Sequence, residues 1–266
     1  MVTLEKVRRD APWSWIKGAV ADMAAAPVVS LGYGAVFTGI GIAITLGLWS
    51  LGLIGYAPVL VGGFALVAPV FAVGVYCVSR KRDAGETPQI LDFWRISGSR
   101  LSQIGLLSVL LFVFFLAWAR LAQFLFAMFV SGAADFRLDA IPAFLFTDPS
   151  GVALLVVGTL IGAVLAFMAF TVSALSFPMI IDQDVDAITA LVASVKAVLQ
   201  QPLVMLTWAW LIAFFIAAGA VFFLVGLAVT FPLIAHASWR AYKDFAPKPK
   251  PSAAALEASR ASGGGA

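Results

Sequence analysis

The chain has 266 residues, of which 62% are hydrophobic and 12% charged, with a mean hydropathy of +1.01. Ordinary globular domains are about a quarter charged, so this composition excludes a water-soluble fold and puts a lipid bilayer around the chain. The net charge of +3 is small and the basic residues are grouped, which suits the positive-inside rule and argues against nucleic acid as a partner, while the single Cys77 excludes an intrachain disulfide.

Residues 1–12 are charged, with no apolar core behind the charges. They do not read as a cleavable leader, so the first membrane helix is expected to direct insertion. Trp13, Ile16, Val20 and Met23 recur at helical spacing, with Lys17 and Asp22 elsewhere on the wheel. This predicts an amphipathic helix in the headgroup layer, anchored by Trp13 and Trp15 and ended by Pro27. Ser30–Leu53 is the first expected span, and Gly39 and Gly47 on one side of it would let a neighbouring helix come close. Gly55–Pro58 reads as a turn, and Val59–Ser79 as the returning span with Ala68–Pro69 inside it.

Arg80, Lys81 and Arg82 mark that end as cytoplasmic. Thr87–Pro88 looks like a helix start, and Ile90, Leu91, Phe93, Trp94 and Leu101 predict a second interfacial helix, with Asp92, Arg95 and Arg100 alongside. Ile104–Val130 is a long third span containing Arg120. Residues 132–150 carry three aspartates (Asp135, Asp139, Asp148) and one arginine (Arg137), as an outer loop would. Val152–Phe177 is the fourth span, and Asp182, Asp184 and Asp186 follow its exit. Asp186 is placed to cap a helix over Ala187–Gln200, whose apolar stripe is Ile188, Leu191, Val192, Val195, Val198 and Leu199.

As one helix, Leu203–Tyr242 would be about 60 Å long, so it predicts a hairpin turning within Gly219–Gly226. The organisation expected is all-α. A cytoplasmic N-terminus with an interfacial helix covers 1–29. A six-span membrane domain covers 30–245, with spans near 30–53, 59–79, 104–130, 152–177, 203–220 and 223–242. A disordered cytoplasmic tail covers 246–266. Both termini then lie inside. Trp13, Ile16, Val20, Met23 and Pro27 share their offsets with Ile188, Leu191, Val195, Val198 and Pro202. Ala68–Pro69, Phe177–Pro178 and Phe231–Pro232 recur in the later part of each unit. Three repeats are expected, each an interfacial helix followed by a transmembrane hairpin.

No spacing of ligands suits zinc, copper or haem, since His236 is the only histidine. Asp182, Asp184 and Asp186 alternate like a cation loop but lack its glycine turn and distal glutamate, so they read as a solvated loop with a helix cap. No cofactor or metal is expected. Arg120 is either an anchor reaching the outer interface, paired with Asp135, Asp139 or lipid phosphate, or a site for an anionic solute. His236, Trp239, Arg240 and Tyr242 close the last span. Trp239 and Tyr242 read as an aromatic belt, Arg240 as an inside anchor, and His236 as a group able to sense pH.

Ala68–Pro69 with Gly74–Val75–Tyr76 and Ser79–Arg80, then SFPMIID at 176–182 with Ser194 and Trp208, then FPLIAHASWRAY at 231–242 resemble a family of bacterial integral membrane proteins catalogued as domain of unknown function 2189. The resemblance covers roughly residues 10–245. Some members carry a cytochrome c oxidase subunit label, but one histidine cannot ligate two haems and a copper, which leaves an accessory or assembly role. The expectation is a multi-pass protein of the bacterial inner membrane, non-enzymatic and structural or interacting, with the bilayer and a membrane-protein partner or a second copy around it. The alternative is a small-solute transporter or channel. An enzyme acting on lipid comes third.

Overall fold

The computed structural model describes residues 4–130, 141–222 and 224–247. The expected tail, and Asp135 and Asp139 as partners of Arg120, fall largely or wholly outside those residues. The described residues form eleven α-helices and no strand. Helix α1 (Ala11–Ala25) runs into α2 (Pro27–Ser50). Helices α3 (Ala57–Phe71) and α4 (Val73–Asp83) return as one nearly continuous rod. Then come α5 (Gly98–Phe129), α6 (Ile141–Thr147), α7 (Pro149–Ser173), the short α8 (Ser176–Asp182) and α9 (Ala187–Gln200). Helices α10 (Pro202–Val221) and α11 (Leu227–Phe245) close the chain.

Among the described residues five rods are long and apolar enough to cross a membrane: 27–50, 59–83, 98–129, 149–182 and 202–221. Helix α11, over the expected sixth span, is not among them, because its last two turns carry Arg240, Lys243 and Asp244. Two helices, α10 and α11, occupy 203–242, and the break between them falls between Val221 and Leu227.

The core gathers around α11. Thirteen of its nineteen residues are buried, so it acts as a central post. Helices α1 and α2 run antiparallel along it: Trp15 meets Phe245, Ser30 meets His236 and Phe37 stacks on Phe231. On the other side, Trp118 of α5 donates its indole N–H to the Val59 carbonyl at 2.8 Å. The same ring fills the space left by Gly62 on α3 and Gly162 on α7.

Five expectations change. The second interfacial helix is not an α-helix. Residues Ile90–Arg95 form a 3-10 helix opened by Gln89, whose amide bonds the Asp92 carboxylate. Helix α5 then begins at Gly98, not at 104, because Ile96 is extended and breaks the path between them. On α1 the packed face is Ala11, Trp15, Ala19 and Asp22, while Trp13 and Val20 stay exposed. Trp15 is therefore a core residue, not an interfacial anchor. On α9 the small face of Ala187, Ala190, Ala193, Ser194 and Ala197 packs inward. Of the expected stripe, Val198 is buried and Leu191 and Val195 are half-buried, while Ile188 and Leu199 point out, 69% and 72% exposed. Finally, Trp239 and Tyr242 are buried and form no belt.

Helices α1 and α9 nonetheless match in register. Trp15, Ala19 and Asp22 are buried at the offsets of Ala190, Ser194 and Ala197. The residues ending the two helices have the same backbone, Ala26 at φ −138°, ψ 59° and Gln201 at φ −133°, ψ 60°. Each is followed by a proline that opens the next helix, where a missing N–H costs nothing.

Candidate functional site

Pro232 lies inside α11 and has no N–H for the Ala228 carbonyl one turn back. Gly34 of α2 lies directly against that carbonyl, so close that any Cβ would collide with it. The two backbones therefore touch, which fixes the height of α2 against α11. One turn beyond Pro232 is His236, fully buried. Its Nε2 is 2.9 Å from Ser30 Oγ on α2, and its Nδ1 is 2.7 Å from Ser79 Oγ on α4. A neutral imidazole donates from one nitrogen and accepts at the other, so one serine accepts and the other donates whichever tautomer is present.

The next turns carry charge. Arg240 clamps Asp22 with two bonds, Nε to Oδ2 at 2.5 Å and Nη2 to Oδ1 at 2.6 Å. Arg82 of α4 binds the same carboxylate. Gly18 on α1 makes room for the Arg240 side chain, whose atoms lie 2.6–2.7 Å from where a Cβ would stand. Trp239 Nε1 donates to Asp83 Oδ2 at 2.8 Å. Tyr242 donates to Asp182 Oδ2 at 2.7 Å and accepts from Gln183 Nε2 at 2.8 Å, and Lys243 pairs with the same Asp182 at 3.1 Å. Trp15 Nε1 donates to Asp244 Oδ2 at 2.7 Å.

The N-terminal segment of the chain completes the clasp. Glu5 N–H donates to the Phe245 carbonyl at 3.0 Å. The Gln201 side chain accepts from Val7 N–H at 2.8 Å and donates to the Glu5 carbonyl at 3.0 Å. Beside α4, Lys81 reaches the buried Asp92 at 3.0 Å. Burial pushes the Asp92 carboxyl up, but the Gln89 amide and Lys81, with Arg95 beyond them, outweigh it and hold it below the ordinary carboxylate range.

The structure thus joins four of the five residues singled out in the sequence. Asp182, His236, Trp239 and Tyr242 stand on or against one face system, while Arg120 stands apart. Arg120 is exposed on α5 and donates to Gln123 Oε1 at 3.2 Å. It lies two residues past Trp118, level with the first turn of α3. Asp184 is exposed, and Asp186 caps α9 by accepting from Thr189 N–H at 2.8 Å. Asp22, Ser30, Ser79, Arg82 and Asp83 were missed. Asp22 had a signal: it falls on the face of Ala11, Trp15 and Ala19, the less apolar side of α1. Ser30 and Ser79 had none, because their partner is remote in sequence.

Chemically, the arrangement holds helices together. His236, Ser30 and Ser79 are sealed from the surroundings, with at most 2% exposure. Among the described residues no three His, Cys, Asp or Glu side chains converge as a metal site would require.

A helical bundle with five long apolar rods among its described residues, and with most of its charged side chains gathered at one end, belongs to the class of integral membrane proteins. Residues 56–182, just under half of the chain, match the family model described as Predicted integral membrane protein (DUF2189). No curated protein and no solved structure matches the chain. The matched stretch runs from α3 to α8 and includes Pro69 and SFPMIID, while FPLIAHASWRAY lies beyond it.

Proposed function

We propose that the chain is a multi-pass protein of the bacterial inner membrane that serves as a non-enzymatic structural or interaction component, accessory to a membrane complex. The observation that carries this reading is how the polar interior is spent. Among the described residues, His236 with Ser30 and Ser79, Asp22 with Arg82 and Arg240, and Asp182 with Tyr242 bond one another across α1, α2, α4, α8 and α11, which supports a role in locking helices together. The topology that fits is three helical hairpins entered from the cytoplasm, α2 with α3–α4, α5 with α7–α8, and α10 with α11. The first and third are preceded by α1 and α9, whose exposed apolar sides suit the headgroup layer. Arg80, Lys81 and Arg82 at one end support cytoplasmic termini.

For the alternative, a solute pathway, Arg120 would have to face the bundle interior. Its exposed position, level with the start of α3, supports the anchor at the outer interface instead.

Cross-linking of the tagged chain in its own membranes, followed by native electrophoresis, tests the reading. The expected result is a discrete assembly of fixed stoichiometry. Migration as a lone chain, combined with saturable uptake of a solute by reconstituted vesicles, would overturn it.

A further inference from the structure

The reading above takes α2 with α3–α4 as a hairpin that crosses the bilayer, and on that basis the third hairpin can be measured against it. Ser30 is level with His236 through their hydrogen bond. Phe37 is level with Phe231, the rings stacked at 3.8 Å. A Cβ on Gly41 would lie 3.7 Å from Leu224 Cδ1, in the turn between α10 and α11. From Ser30 to Gly41 is about 16 Å along α2, and from Ser30 to its last residue Ser50 about 30 Å, at 1.5 Å per residue. The hydrocarbon core is about 30 Å thick. The turn of the third hairpin therefore stands about halfway up the crossing helix.

The start of α10 agrees. Its length would suffice for a span, but Trp208 packs edge-on against Trp15 at 5.5 Å, and Trp15 stands beside Asp244 and Phe245 at the charged end. The first two turns of α10 are therefore used below the level of His236.

The chemistry of the turn agrees as well. Val221, Phe222 and Val225 are 77%, 69% and 60% exposed, so the described tip is a projecting apolar knob. Three of its described backbone donors are met locally: Leu224 N–H by the Ala220 carbonyl, Val225 N–H by Phe222 and Leu227 N–H by Leu224, at 3.0–3.1 Å. A turn in water needs neither feature, whereas a turn in hydrocarbon needs both.

We propose that α10 and α11 form a re-entrant hairpin. It enters the membrane from the side of the charged cluster and turns near the midplane. Its Val221–Phe222–Val225 tip packs against the ends of lipid acyl chains and never reaches the outer water. The outer half of α2 above the tip is then faced by outer-leaflet lipid. The chain crosses four times fully, and its ends still share one side.

The test uses the full chain with Cys77→Ala as background and single variants Leu51→Cys, Phe222→Cys and Val225→Cys. Position 51 lies in the α2–α3 turn and reports the crossing hairpin. With a membrane-impermeant maleimide, position 51 is expected to label from outside, and positions 222 and 225 at least about a hundredfold more slowly from either side. Bimane at 222 or 225, in vesicles of phosphatidylcholine brominated at defined carbons, is expected to be quenched most by bromines near the chain ends. Labelling of both 222 and 225 from outside within tenfold of position 51 would overturn the proposal in favour of a full span. Bimane at both positions quenched by no bromine depth would overturn the lipid contact. Protection of position 51 as well would strike the crossing of α2–α3, and this proposal with it.

Discussion

Asp22 is the charge on which the end of the bundle turns. It is 6% exposed and receives both Arg82 and Arg240. Replacing it with Asn leaves two guanidiniums facing one neutral amide. Removing one member of a buried ion pair typically costs 3–5 kcal/mol. Both arginines here keep part of their side chains in solvent, so a loss of about 3 kcal/mol is expected, read as a fall in the unfolding temperature in detergent. Unchanged stability of Asp22→Asn would show that the cluster is not structural. Asp92 gives a dependence on pH. Its native carboxyl lies below the ordinary range, so its contribution is complete above about pH 4 and is lost as pH falls through the native value. Below about pH 4 the parent should lose thermal stability with falling pH more steeply than Asp92→Asn. Parallel curves would refute the assignment.

At the scale of the element, contact surfaces are set by small residues. Gly34 exists because the Ala228 carbonyl, freed by Pro232, occupies the place of a side chain. Gly34→Val must push α2 off α11, and overpacking of this kind typically costs 1–3 kcal/mol or more. A variant as stable as the parent would place the crossing elsewhere. Helix α9 gives a paired test, since Ala190 is fully buried and Ile188 largely exposed. Ala190→Leu should destabilise the detergent-solubilised protein by about 1–3 kcal/mol, and Ile188→Ser by under about 0.5 kcal/mol, as for surface changes generally. The reverse order would mean that the large-residue stripe packs inward after all. For α5, Arg120→Gln should lower stability when anionic lipid is present, and Arg120→Lys should not, because lysine also reaches an interface. If Gln matches the parent with and without that lipid, the anchor reading fails and a solute site at Arg120 comes forward.

For the whole molecule, the charged end is one clasp closed by chain segments far apart in sequence. Glu5, Trp15, Gln201 and Phe245 meet there, so both ends of the described chain leave from one side. A cysteine introduced as Ala255→Cys should resist an impermeant reagent outside intact cells and react after the inner membrane is opened. Labelling from outside would reverse the orientation.

The sequence alone decided the solvent, the helical class and the order of elements, because a deficit of charge and long apolar runs depend only on composition and period. It also decided the turn after Val221 and the Asp186 cap of α9, both governed by neighbours in the chain. Some faces were legible only by size, and size misled. The apolar residues Trp13 and Val20 of α1 and Ile188 and Leu199 of α9 look like the packing side, yet they stay exposed, and the close contacts fall on faces rich in alanine, with Trp15 on α1 and Val198 on α9 among them. The site was legible as four residues and not as a site. Trp239 and Tyr242 read as a lipid belt until Asp83 and Asp182 arrived beside them. His236 had no identifiable partner until α2 and α4 brought Ser30 and Ser79 to its two nitrogens. Those pairings span some sixty to over two hundred residues, so no local pattern encodes them. Only the packing of α1, α2 and α4 around α11 puts them within bonding distance.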